Sequence, residues 1–135
     1  METGTLSVAL EPQVPLRARA DARWLLHLEN GAEHAIAVTF STAQLADVVL
    51  ERTGVECYRW SSVRTFAQVI SERTLGPGET WTLALEGRLD VEPGGYEATA
   101  TVLCRPQPSP ARLAVVVEPA MRSRVASLTA NLHLR

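Results

Sequence analysis

Apolar and polar residues alternate along most of this chain, the period of a strand with one buried face. Leu6, Val8 and Leu10 share one face of a first strand, and Pro12 and Pro15 end it because proline cannot donate to a ladder. Ala22, Trp24, Leu26 and Leu28 form the inward face of a longer strand, with Asp21, Arg23, His27 and Glu29 outward. Asn30-Gly31 follows, a pair suited to a hairpin turn with positive φ, and Ile36, Val38 and Phe40 read as the returning strand. Val48 to Leu50 and Val55 to Tyr58 are two short strands flanking the turn residue Gly54. From Arg64 to Glu72 the pattern changes: Phe66, Val69 and Ile70 fall at helical spacing, which predicts a one- or two-turn helix or a tight crossover.

Gly76-Pro77-Gly78 closes that segment and leads into Trp81, Leu83 and Leu85. Pro93-Gly94-Gly95 then turns into Tyr96, Ala98, Ala100 and Val102. A proline-rich loop, Arg105 to Arg112, reaches a last clear strand at Leu113, Val115 and Val117. Short strands at near-regular spacing, joined by Gly and Pro turns, predict an all-β, immunoglobulin-like antiparallel β-sandwich. We expect about seven to nine strands and one short helical crossover. Tyr96 fits the tyrosine corner of such sandwiches, where the phenol bonds back to the backbone, and Trp24 and Trp81 are the large core fillers. The domain spans 1–118. Residues 119–135 read as a C-terminal extension packing on the domain or on a partner, with Leu128, Leu132 and Leu134 fitting either a strand or a helical face, so a homodimer is open.

Composition narrows the function. A chain of 135 residues has the size of one domain, and a net charge of −2 without a recurrent basic patch argues against nucleic acid. No stretch approaches membrane-spanning length and the first ten residues lack the basic and apolar regions of an export signal, so a cytoplasmic location is expected. Cys57 and Cys104 are the two cysteines, read as buried thiols and not a disulfide. All 13 basic residues are arginine, which a coding bias in a G- and C-rich bacterial genome accounts for.

Chemistry is sparse. There is no G-x-S-x-G elbow and no C-x-x-C, H-x-x-x-H or H-E-x-x-H spacing, so neither a nucleophile with its base nor a metal set is indicated. His27, His34 and His133 read as surface residues, and the glycine pairs sit at turns without a following helix to cradle phosphate. The expectation is a binding protein, not an enzyme, with no cofactor.

One series of short motifs is more specific. Asn30, Val38-Thr39-Phe40-Ser41, Glu56-Cys57-Tyr58-Arg59-Trp60-Ser61, Phe66-Ala67-Gln68, Leu75-Gly76-Pro77-Gly78-Glu79 and Gly94-Gly95-Tyr96 follow one another in that order. The series resembles the bacterial intracellular proteinase inhibitor (BsuPI-like) family over about residues 20–104. Thr42 to Asp47 departs from the glycine and Tyr-Asp pair often found there. Most shared positions also carry a structural reading: Arg59, Trp60, Ser61, Phe66, Gln68, Pro77, Gly78 and Tyr96 as scaffold, with Trp60 and Phe66 in the core, Gln68 a buried amide and Pro77-Gly78 a type II turn.

The resemblance implies a noncatalytic inhibitor of intracellular subtilisin-like serine proteases. The alternative is a general interaction or assembly module on the same fold. An inhibitor needs an exposed, extended segment held at both ends. The loop Arg105, Pro106, Gln107, Pro108, Ser109 and Pro110, stiffened by three prolines, is the first candidate for that segment, and the crossover Ser61 to Thr74 is the second.

Overall fold

The computed structural model describes residues 5–120. The reading of 119–135 as a packing extension therefore falls almost wholly outside the described residues. Eleven strands were found among those described, two of them only two residues long, and they form two layers. The first layer is β1 (Leu6–Pro12), β3 (Asp21–Asn30) and β8 (Thr80–Arg88), in the order β1-β3-β8 and antiparallel throughout. In the second, β2 (Leu16–Arg17), β11 (Ala111–Glu118), β9 (Gly94–Val102), β5 (Ala46–Arg52) and β6 (Val55–Arg59) lie side by side, with β2 parallel to β11 and every other pair antiparallel. β10 (Cys104–Arg105), β4 (Ile36–Phe40) and β7 (Ser71–Leu75) continue it beyond the end of β9.

The expected alternation is what builds the core. Ala22, Trp24, Leu26 and Leu28 of β3 face Val48 and Leu50 of β5, Ala98, Ala100 and Val102 of β9, and Val115 and Val117 of β11 in one buried cluster. Each fully buried Leu or Val in such a cluster contributes roughly 1.5–3 kcal/mol relative to exposure. Four residues sit less deeply than the alternation suggests: Val8, Leu10 and Trp81 are only half-buried, and Leu113 is exposed.

Two local expectations fail for identifiable reasons. Asn30-Gly31 is not a hairpin turn, because β3 pairs with β1 and β8 while β4 pairs with β10 and β7, so the chain changes layers here. Neither residue has a positive φ, and the Asn30 side chain serves instead as a buried hydrogen-bonding hub. The helix expected within 64–72 does not form either. A single 3-10 turn, Trp60–Val63, precedes it, and the chain then runs without regular structure to β7. Helical spacing stabilises only if the apolar stripe is buried, and Val69 and Ile70 face solvent. The backbone finds other partners, with Ala67 accepting from the Ala43 amide and Ser71 entering the β7 register opposite Phe40.

A candidate contact surface on one sheet edge

The register joins β4 and β5 into one interrupted strand. Phe40 lies opposite Cys104 and Ala46 opposite Val102, so residues 41–45 bulge outward against the single residue Leu103. β6 follows the outer edge of β5 and β7 the outer edge of β4. Residues 60–70 therefore bridge the bulge along one free edge of the sandwich. A tight turn with positive φ at Thr53 and Gly54 starts that edge, a hairpin geometry that glycine makes accessible at the second position.

This edge is unusually apolar for an exposed one. Val55, Val63, Val69 and Ile70 are 61, 86, 54 and 77 % exposed, and they make up four of the seven large apolar side chains exposed among the described residues. Their concentration within 55–70 makes this edge the candidate contact surface, since exposed apolar residues scattered singly would carry no such meaning. Nearby cations are already committed. The Arg64 guanidinium stacks 4.1 Å from the Trp60 ring centre, and Arg73 stacks 4.2 Å from that of Trp81.

The backbone of the segment is held from several directions. Asp47, buried at the start of β5, accepts from the Ser61 amide at 3.1 Å, the Ser61 hydroxyl at 2.5 Å and Arg59 Nη1 at 3.3 Å. Arg64 donates to the carbonyls of Trp60 and Glu86, and the Trp60 indole donates to the same Glu86 carbonyl at 3.0 Å. Phe66 packs on Trp60 with ring centres 5.9 Å apart. On the outer side, Arg59 donates two hydrogen bonds to Glu56, which hold the Glu56 carboxyl below its usual pKa and raise that of Arg59.

Other residues singled out in the sequence are distributed as follows. Arg59, Trp60, Ser61 and Phe66 belong to this edge, but Trp60 and Phe66 are half-buried and not core residues. Gln68 is exposed, which corrects its reading as a buried amide, and Cys57 is exposed on β6, which corrects its reading as a buried thiol. Cys104 is buried as expected. Gly78 has φ +74° and Glu79 N–H reaches the Gly76 carbonyl at 3.0 Å, the bond and the positive φ of a type II turn. The Tyr96 phenol donates to the Glu92 carbonyl, as a tyrosine corner requires. In the proline-rich loop Arg105, Gln107, Ser109 and Pro110 are exposed, Pro106 is half-buried and Pro108 buried. Arg105 and Gln107 line one cleft with Thr42 and Gln44, so the bulge 41–45 separates the two candidate segments.

The sequence reading gave no individual role to Asp47, Arg64 or Arg73. A carboxylate inside the apolar run Ala46 to Leu50 was the one signal that could have drawn attention to Asp47.

No three His, Cys, Asp or Glu side chains converge on a metal-sized site among the described residues. His27 lies between the Glu11 carboxylate and the Thr82 hydroxyl on the outer face of the first layer, at 2.9 and 2.7 Å. The family model described as intracellular proteinase inhibitor, BsuPI, matches residues 11–107. The chain belongs to the BsuPI family. That membership brings a proteinase-inhibitor role and a protease as partner. Among curated proteins no sequence matches the chain.

Of the solved structures, a CARDB domain from Pyrococcus furiosus in complex with di-metal ions superposes with a TM-score of 0.53 at 17% identity, covering 86% of this chain and 94% of that one. The likeness shows the immunoglobulin-like fold alone. The sporulation control protein Spo0M from Bacillus subtilis has a TM-score of 0.49 at 13% identity, with 96% and 56% of the two chains covered. No helix among the described residues is long and apolar enough to cross a membrane.

Proposed function

We propose that this BsuPI protein is a noncatalytic, cytoplasmic inhibitor of a subtilisin-like serine protease, and that it engages its target through residues 62–70. The observation that carries the reading is the presentation of Val63, Val69 and Ile70 to solvent on a non-repetitive backbone anchored at both ends. A protease cleft of this type receives an extended segment as an added strand and its side chains in largely apolar pockets. Holding the segment in advance lowers the ordering cost of the complex. With Arg64 and Arg73 stacked on tryptophans, the apolar side chains are what remains for such pockets. The loop 105–110 is less available, because Pro108 is buried and Arg105 is paired with Thr39.

The test is titration of the purified protein against an intracellular subtilisin-type protease from the same source. Val69→Asp with Ile70→Asp should weaken inhibition at least ~100-fold, the loss expected when two buried apolar contacts become buried charges. Replacing Pro106, Pro108 and Pro110 by Gly should leave inhibition within a few-fold. The reverse pattern would move the contact to the proline-rich loop. Absence of inhibition by the parent would favour an interaction module that pairs through this same edge.

A further inference from the structure

We infer that Asp47 is a positioning residue for the protease-contacting segment, and that residues 41–47 form the platform on which that segment is preset. The inference rests on the inhibitory reading above. Asp47 spends its carboxylate almost entirely on the start of the segment. Oδ1 accepts from the amides of Val48 at 2.9 Å and Ser61 at 3.1 Å, and Oδ2 accepts from Ser61 Oγ at 2.5 Å and Arg59 Nη1 at 3.3 Å. Its side chain is only 9 % exposed, so these bonds act where water competes poorly.

Four residues earlier, the amide of Ala43 reaches forward to the Ala67 carbonyl at 2.9 Å. The bulge thus grips the segment at Ser61 and again at Ala67, and Thr42 keeps the bulge itself in shape by accepting from the Gln44 amide at 3.1 Å. A carboxylate at position 47 is costly in an apolar strand unless it is fully bonded. Each of its partners outside its own strand, Arg59 and Ser61, lies at the entry to 62–70. A core of this size has no need of a charge there, whereas an exposed segment that must resist both fraying and cleavage needs a fixed entry angle.

Loosening that entry should turn an inhibitor into a substrate. Asp47→Ala, Asp47→Asn and Ser61→Ala would be compared with Val48→Ala, a core variant at the adjacent position that removes none of these bonds. Two readouts are needed. The first is limited proteolysis by an unrelated protease of broad apolar specificity, with the cut mapped by mass spectrometry. The second is inhibition of the subtilisin-type enzyme.

Asp47→Ala should accelerate cutting within 62–70 at least ~10-fold beyond a Val48→Ala control of matched urea midpoint, with Asp47→Asn and Ser61→Ala between it and the parent. It should also be cleaved in that segment by the target enzyme. Cutting no faster than in the matched control would overturn the positioning role. If Asp47→Ala does not fold, Ser61→Ala alone decides by the same comparison. A parent that fails to inhibit, with cutting still accelerated in the variants, would leave the platform standing and remove the inhibitory reading; equal inhibition by parent and variants would remove the platform only.

Discussion

The side-chain amide of Asn30 donates to the Leu75 carbonyl at 3.0 Å, tying the last residue of β3 to the last residue of β7 in the other layer. The same Nδ2 shares its two hydrogens with the carbonyls of His34 at 2.9 Å and Gly76 at 3.1 Å, and Oδ1 accepts from the Ala32 amide at 2.8 Å. Asn30 is fully buried, so truncation strands several polar groups without water. We expect Asn30→Ala to cost about 3 kcal/mol, and Asn30→Asp to cost more, because the second carboxylate oxygen would face three carbonyls. Urea denaturation of both variants checks the order.

The two thiols should behave differently in the native protein. Cys57 is exposed and should react with a thiol reagent at close to the rate of a free cysteine. Cys104 is buried and its burial raises its pKa, so its reaction should wait on opening of the structure. In denaturant both should react. Burial likewise raises the pKa of Tyr58. For a group whose folded pKa is raised, the unfolded state ionises first as pH climbs. The stabilising contribution is therefore complete below the ordinary values, about 8.5 for a thiol and about 10 for a phenol, and is lost as pH rises through the folded ones. Urea midpoints measured between neutral pH and pH 11 should fall on the alkaline side, and Cys104→Ser with Tyr58→Phe should flatten that fall.

Most of the sandwich was legible because its signal is local. Trp24, Leu26 and Leu28 alternate with polar residues, and no partner strand is needed to see which face is buried. Asn30-Gly31 was misread because its dipeptide preference is compatible with a hairpin, while the decision to change layers depends on Leu75 and Gly76, 45 and 46 residues away. The segment 64–72 failed similarly: Phe66, Val69 and Ile70 satisfy a helical period, but only tertiary context reveals that nothing covers the last two. The motif residues of the contact edge were visible as letters. Their grouping was not, since Asp47 meets Ser61 and Ala43 meets Ala67 only in the folded sheet, which no single stretch of sequence encodes.

Gly78 offers a test of backbone preference isolated from packing. Its φ is +74° and a Cβ there would meet nothing within 4 Å, so Gly78→Ala introduces strain without a clash. A cost of about 1–2 kcal/mol is expected from the left-handed conformation. Gly76→Ala, at a position with negative φ and its nearest neighbour atom at 3.8 Å, should cost under about 1 kcal/mol. Thermal melts of the two variants side by side would show whether the type II geometry, and not the mere presence of small residues, is what the turn requires.

Gly87 separates the contact segment from global stability. A Cβ at this position would lie 2.5 Å from Arg64 Nη2, the atom that donates to the Glu86 carbonyl at 2.6 Å. The obstructed group is the far end of a flexible side chain, so Gly87→Ala can be accommodated by moving the guanidinium and leaving the backbone in place. Two consequences oppose each other. Ala in a strand costs less conformational entropy than Gly, a gain of about 0.5–1 kcal/mol for the fold. The displaced Arg64 loses its bond to Glu86 and its stacking on Trp60, which frees one hold on the backbone at residue 60. Gly87→Ala should therefore keep or slightly raise the urea midpoint while residues 62–70 are cut faster in limited proteolysis. A core defect would move both measurements in the destabilising direction, and an Arg64 that found an equivalent hold would leave the cutting rate unchanged, showing that the anchoring at Asp47 and Ala43 suffices without it.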